Sequence, residues 1–215
     1  MPSPNELTSV VRLVAPDLKE LGFKKFGTTF NREPEAGLIH VVGFQGSKWG
    51  DKFTVNLGIY VREIDELFDD WWRREGKKGD PGKDGAVKEY ICWLRERIGG
   101  FEPDHQDKWW PYRNIDQAAS DIRSKLRTRV EPMFSRLSKR SGLIELWDET
   151  AGDNLGWRRE GRTPLGFALL LRQAGRTADA GQIVQRVCAD SRGQPFHSMV
   201  QVLAEDLGFQ CVDDP

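Results

Sequence analysis

The sequence predicts an α+β protein: an antiparallel sheet of about four strands packed by helices, with a small all-helical appendage at the C-terminal end. Three observations predict it. The runs "TTFNRE", "LIHVVGFQ" and "KFTVNLGIYV" lie close together between residues 28 and 61. Their connections are short, and parallel pairing needs a long crossover. Apolar residues recur at helical spacing on either side of this region. Beyond residue 155 the strand-like alternation disappears, and three short helical patterns with glycine stops take over.

The elements follow in chain order. Leu7, Val10, Val11, Val14, Leu18 and Leu21 form a helical stripe that Asn5 or Ser3 can cap. Pro16 lies inside it and predicts a kink or a split. Gly22 predicts the stop. "EPEAG" and "GSKWGD" read as turns between strands. In "KFTVNLGIYV" the residues Phe53, Val55, Leu57, Ile59 and Val61 alternate with Thr54, Asn56, Gly58 and Tyr60, so one face is apolar and the other semi-polar. "IDELFDDWWRRE" is helical, with Ile64, Leu67, Phe68 and Trp71 on one stripe and Trp72 at its border.

"GKKGDPGKDG" reads as a loop. It lacks the pattern of a phosphate-binding loop, because five residues separate Gly76 from Gly82 and Lys83 is followed by Asp84 rather than Ser or Thr. "AVKEYICWLRERIGG" predicts a helix with Val87, Ile91, Leu94 and Ile98 inward. "DKWWPY" predicts a short edge strand, since Pro111 cannot donate to a ladder. Strand alternation then puts Trp110 and Tyr112 on one face and Trp109 on the other. Further helices are predicted in "DQAASDIRSKLRTRV", in "PMFSRLSKR" starting at Pro132, and in "GLIELWDE". "TAGDNLGWRREGRT" reads as a linker. The segment "ALLLRQAGRTADAGQIV" resembles a tetratricopeptide-type helical hairpin, but one partial match is no repeat array.

The order of "LGFKKFGTTFNRE", "VVGFQGSKW", "FTVNLGIYV", "CWLRERIGG" and "DKWW" resembles the DUF4304 family, a bacterial domain family without an assigned activity. The resemblance covers roughly residues 5–150. It implies an α+β domain and supplies no substrate, cofactor or catalytic residue. Some family members occur near toxin-immunity or phage-defence genes, which implies a protein-binding role. The expected division is a domain over residues 1–155 and a helical appendage over 156–215.

Composition sets outer bounds. Charged residues are 30% and hydrophobic residues 38% of 215, with a formal net charge of -1. That describes a charged, water-facing surface without a strong overall pull toward nucleic acid or anionic membrane. No run approaches the ~20 apolar residues of a membrane span, and the start lacks a basic stretch followed by an apolar one. Cys92, Cys188 and Cys211 are odd in number and form no CxxC pair, so free, mostly buried thiols in a cytoplasmic protein are expected.

No catalytic, cofactor or metal site is expected. His40, His105 and His197 stand at no metal-ligand spacing, and there is no G-x-S-x-G or H-E-x-x-H. Lys48 and Asp51 lie in a turn without an acidic partner on the strand before. Two surfaces remain. The semi-polar sheet face, with Thr29, Asn31, Thr54, Asn56 and Tyr60 and with Gln45 nearby, is either covered and internally satisfied or open to a partner. With Trp109, a hot-spot candidate, it gives the partner-binding set Trp109, Asn56 and Tyr60. The stretch 123–140 holds seven Lys or Arg and one acid, Glu131. Arg123, Lys125, Arg127 and Arg129 fall on the side away from Ile122 and Leu126, and this stripe could follow a phosphate backbone. The leading expectation is a non-enzymatic protein-interaction module, an immunity or phage-defence accessory protein whose partner is another protein. The alternative is a nucleic-acid-binding accessory protein using the stripe, and an enzyme without a recognisable motif is the third reading. Homo-oligomerisation stays open.

Overall fold

A computed structural model of the chain describes residues 4–74, 85–101, 107–150 and 163–212. They form two compact units. The sheet unit takes the described residues of 4–60 and 85–139, and the helical unit those of 61–74, 140–150 and 163–212. The residue 155/156 boundary, the linker around it, the loop 76–84 and His105 lie outside the described residues.

The sheet unit begins with α1 (Pro4–Glu20), which runs through Pro16 as one helix. Of the expected kink or split, the split is corrected. Val10, Val11, Val14 and Leu18 are at most 1% exposed. A buried stripe continuing on both sides of the proline outweighs the single backbone bond it removes. Gly22, at φ 84, ends the run, and the Phe23 amide donates to the Leu18 carbonyl.

Next come β1 (Lys24–Phe26), β2 (Thr29–Glu35), β3 (Leu38–Gly46), β4 (Lys52–Val61) and β5 (Leu94–Arg97), ordered β1-β2-β3-β4-β5. The short β6 (Trp110–Pro111) also pairs with β4. The antiparallel sheet therefore has the four expected strands plus β1 and β5. On its apolar face Phe53, Val55, Leu57 and Ile59 are fully buried. Phe53 stacks on Trp110 at 5.7 Å and on Tyr112 at 5.3 Å, so these two share a side as strand alternation requires.

This face is covered by α1 and by a helical run that starts with α3 (Ile115–Lys125). The run passes through a π-turn at Leu126–Val130 into α4 (Glu131–Arg136). The Glu131 amide bonds to the Leu126 carbonyl, five residues back. The wide turn falls just before Pro132, whose ring would meet the carbonyl four residues earlier in a regular helix. The proline thus continues the run rather than starting a separate helix.

The turn brings Glu131 to the sheet. Arg32 Nη1 donates to both Glu131 oxygens, at 3.0 and 2.9 Å, and to the Leu21 carbonyl. His40, wholly buried, stacks on Phe134 at 4.3 Å. Its Nε2 lies 3.0 Å from the Leu137 carbonyl, which can only accept, so Nε2 carries the proton and Nδ1 accepts from Arg32. Burial pushes the imidazole pKa from 6.5 to about 4; the Leu137 hydrogen bond opposes this, Arg32 reinforces it and Glu131 opposes it.

Residues 86–98 do not form the expected helix. They make a 3₁₀ turn at Glu89–Ile91, then β5, then a second 3₁₀ turn from Ile98. The spacing of Val87, Ile91, Leu94 and Ile98 suits a helix, but β4 offers Asn56–Ile59 as an open edge, which β5 occupies.

The helical unit contains α2 (Arg62–Arg74), α5 (Arg140–Thr150), α6 (Thr163–Gln173), α7 (Thr177–Ser191) and α8 (His197–Asp206). Ile64 and Phe68 are buried and Trp71 half-buried, as the stripe predicts; the Trp72 side chain is outside the described set. Glu63 pairs with Arg140, joining α2 to α5. Arg176 joins Asp148 to Asp179. Cys188 and Cys211 form a disulfide, with Cα atoms 5.5 Å apart, while Cys92 is buried and lies outside the bridge. The expectation of three thiols is corrected: the chain returns from α8 alongside α7, which the 23-residue spacing does not reveal. Among the described residues no helix is long and apolar enough to cross a membrane.

Candidate functional site

The semi-polar face of the sheet is largely satisfied from within. The Asn31 amide meets Val87 through two 2.9 Å hydrogen bonds, giving and receiving like a backbone group. Thr54 donates to the Lys108 carbonyl at 2.7 Å. Asn56, 9% exposed, donates to Gln45 Oε1 at 2.8 Å and to Glu89 Oε1 at 3.4 Å. The cover is the irregular segment from Ala86 to Trp93, not a helix. Two glycines let it sit close. A Cβ at Gly58 would stand 2.5 Å from Cys92 Sγ, and a Cβ at Gly43 would stand 2.6 Å from Glu89 Oε2.

Where this cover ends, a cleft of about 280 Å³ stays open, lined by Gln45, Asn56, Glu89, Tyr90, Arg95, Glu96 and Arg97. Asn56 pairs with Arg97 and Gly58 with Arg95 across the ladder, so both arginines rise from the same face as Asn56. Glu96 turns back on its own strand and accepts the Arg97 amide at 2.7 Å. That bond occupies a backbone donor on the edge strand and discourages strand addition there.

Trp109 adjoins the cleft through Arg97. The guanidinium lies 4.9 Å from the Trp109 ring centre and pairs with Asp107, which also accepts the indole N–H at 3.0 Å. Lys52 approaches the same ring at 5.5 Å. Tyr90 at the rim is 57% exposed, and Trp49 in the β3–β4 turn is 75% exposed with Lys48 over its ring. Of the expected partner-binding residues, Asn56 forms the cleft floor, Trp109 stands beside it, and Tyr60 is half-buried, engaged within the chain and outside the lining. Glu89, Tyr90, Arg95, Glu96 and Arg97 were not singled out from the sequence. Their signal was the charge alternation in "LRER", hidden by the helical spacing of the same segment.

The basic stripe meets acids. Arg123 Nε lies 3.0 Å from Asp17, Arg127 pairs with Asp17 at 2.8 Å and Glu20 at 3.7 Å, and Lys125 pairs with Asp121 at 3.5 Å. Arg129 is exposed. Glu131, within the stretch, serves Arg32. Three of the four expected phosphate contacts thus already pair with acids, and those acids lower the local positive field that would draw a phosphate backbone. Among the described residues no group of three His, Cys, Asp or Glu side chains is placed to hold a metal. Ser191 and His197 are 2.8 Å apart, but Ser191 donates to the Cys188 carbonyl, so the imidazole is the donor to its oxygen and activates no nucleophile.

The sequence model of the DUF4304 family, described as "Domain of unknown function (DUF4304)", matches residues 14–136. No curated protein and no solved structure matches the chain.

Proposed function

We propose that this chain, which belongs to the DUF4304 family over more than half its length, is a protein-interaction module whose partner docks on the cleft-bearing face of the sheet. The observation that carries the reading is the cleft itself with its aromatic edge. Tyr90 stands exposed at the rim, and Trp109 is stacked by Arg97 beside it. Tyr, Trp and Arg are the side chains that most often carry protein–protein binding energy. The partner is another protein in an immunity or phage-defence setting, and the role is non-enzymatic. A cytoplasmic location belongs to the same proposal. The Cys188–Cys211 bridge would then be an exception, since disulfides are rare where thiols are kept reduced, and detection of the chain in the cytosolic fraction of the source cell tests the location.

The experiment is differential capture from the source cell, with wild type compared with folded Tyr90→Ala and Trp109→Ala variants. A protein retained by the wild type and lost by both variants supports the reading. Partners unchanged by both variants refute it. Recovery of a second copy of the chain alone identifies the face as a self-interface.

A further inference from the structure

We propose that the cleft seats one cationic side chain, an arginine or lysine of the partner, at the Glu89 carboxylate beside the Tyr90 ring. The inference rests on reading this face as a protein contact and adds the chemistry of what enters it.

Glu89 is held where it is by its neighbours. Its 3₁₀ turn is closed by the Cys92 amide on the Glu89 carbonyl. The chain ahead of it is fixed by Asn31 on Val87, and the chain behind by Cys92 against Gly58. The carboxylate then lies over the bare backbone of Gly43, in space that any larger residue would fill. Among the described residues, the one hydrogen bond to this carboxylate is the long one from the neutral Asn56 amide. Among the described residues no cation pairs with it, although two arginines line the same cleft. Arg97 is committed to Asp107 and the Trp109 ring, and Arg95 is engaged within the chain. A half-buried carboxylate answered by one weak neutral donor is a strong acceptor awaiting a charged one.

The surrounding groups fit a cation. Asn56 Nδ2 donates to both Gln45 Oε1 and Glu89 Oε1, so both oxygens keep lone pairs for a further donor. Guanidinium and ammonium groups carry donors only. The exposed Tyr90 ring offers a cation–π face at the entrance. The cleft volume is about 280 Å³. It suits a single side chain.

The test is an NMR titration of the whole ¹⁵N-labelled chain with three capped amino acids: N-acetylarginine amide, its neutral isostere N-acetylcitrulline amide, and N-acetylaspartate amide. The expected result is saturable movement of the Asn56, Glu89 and Tyr90 amides with the arginine probe alone. Glu89→Gln weakens that binding by about tenfold or more, the factor for losing a charged hydrogen-bond partner. Gly43→Ala does the same while keeping the glutamate, because its methyl group displaces the flexible end of that side chain. Equal binding of citrulline, preferential binding of aspartate, or no saturable shift overturns the inference. The two proposals fail separately: a captured partner that survives Glu89→Gln but is lost in Tyr90→Ala removes the cation and leaves the protein contact standing.

Discussion

Gly58 on β4 and Cys92 on the covering segment are in such close contact that a methyl group on Gly58 would stand 2.5 Å from Cys92 Sγ and 2.8 Å from its Cβ. Glycine in a strand interior marks such an approach. Cys92 is buried and cannot swing away. Gly58→Ala is therefore expected to cost about 1–3 kcal/mol through overpacking, despite better strand propensity. Chemical denaturation measures this, and the same change made in a Cys92→Gly background loses less. An unchanged unfolding midpoint for the single variant contradicts the contact.

His40 makes the fold acid-sensitive in a defined window. Its pKa falls from 6.5 to about 4 on folding. Between those values the unfolded chain takes up a proton that the fold rejects. The stabilising contribution is thus fully present above pH 6.5 and is lost as pH falls toward 4, with a full size of roughly 3 kcal/mol. Stability measured from pH 7 to 4 should show a slope that His40→Gln flattens. Identical slopes in the two proteins contradict the assignment.

The adjacent tryptophans separate energetically. Trp110 is 5% exposed, stacks on Phe53 and donates to Asp121 at 2.9 Å. Trp110→Ala should cost roughly 3–5 kcal/mol. Trp109 is half-buried and rests against Lys52 and Arg97. Trp109→Ala should cost clearly less, and equal losses would make both core residues.

Much of this fold was legible because strand alternation is strict. Phe53 to Val61 announced both faces of β4, and Trp110 with Tyr112 announced their shared side. The cleft was not legible, because five of its seven lining residues belong to the segment 89–97. There Val87, Ile91, Leu94 and Ile98 satisfy a helical period, and only the unpaired edge of β4 decides for a strand. Asn56 and Gln45 were visible as polar residues on a strand face, but not as a floor beneath Glu89. The disulfide was invisible for a related reason: proximity of Cys188 to Cys211 depends on how α8 returns to α7.

That disulfide closes a loop of 23 residues around α8. Gln185 reinforces the closure by donating to the Gln210 carbonyl at 2.7 Å, and it accepts the Val212 amide at 3.3 Å. Chain-entropy reasoning gives such a bridge about 3 kcal/mol. Reduction with a dithiol, or Cys211→Ser, should lower the thermal midpoint while leaving Gly58 and His40 effects unchanged. A midpoint indifferent to reduction contradicts the bridge.

A partner protein seated on the cleft would lie within reach of position 90. Tyr90 is exposed, and a photo-crosslinking phenylalanine analogue keeps its aromatic ring, so placing one there in living source cells probes the contact, with Arg129, exposed on the helical side of the same unit, as the control position. One discrete protein adduct is expected from position 90, absent from position 129 and abolished by Trp109→Ala. Adducts of equal pattern from both positions, or no protein adduct from position 90, would contradict it.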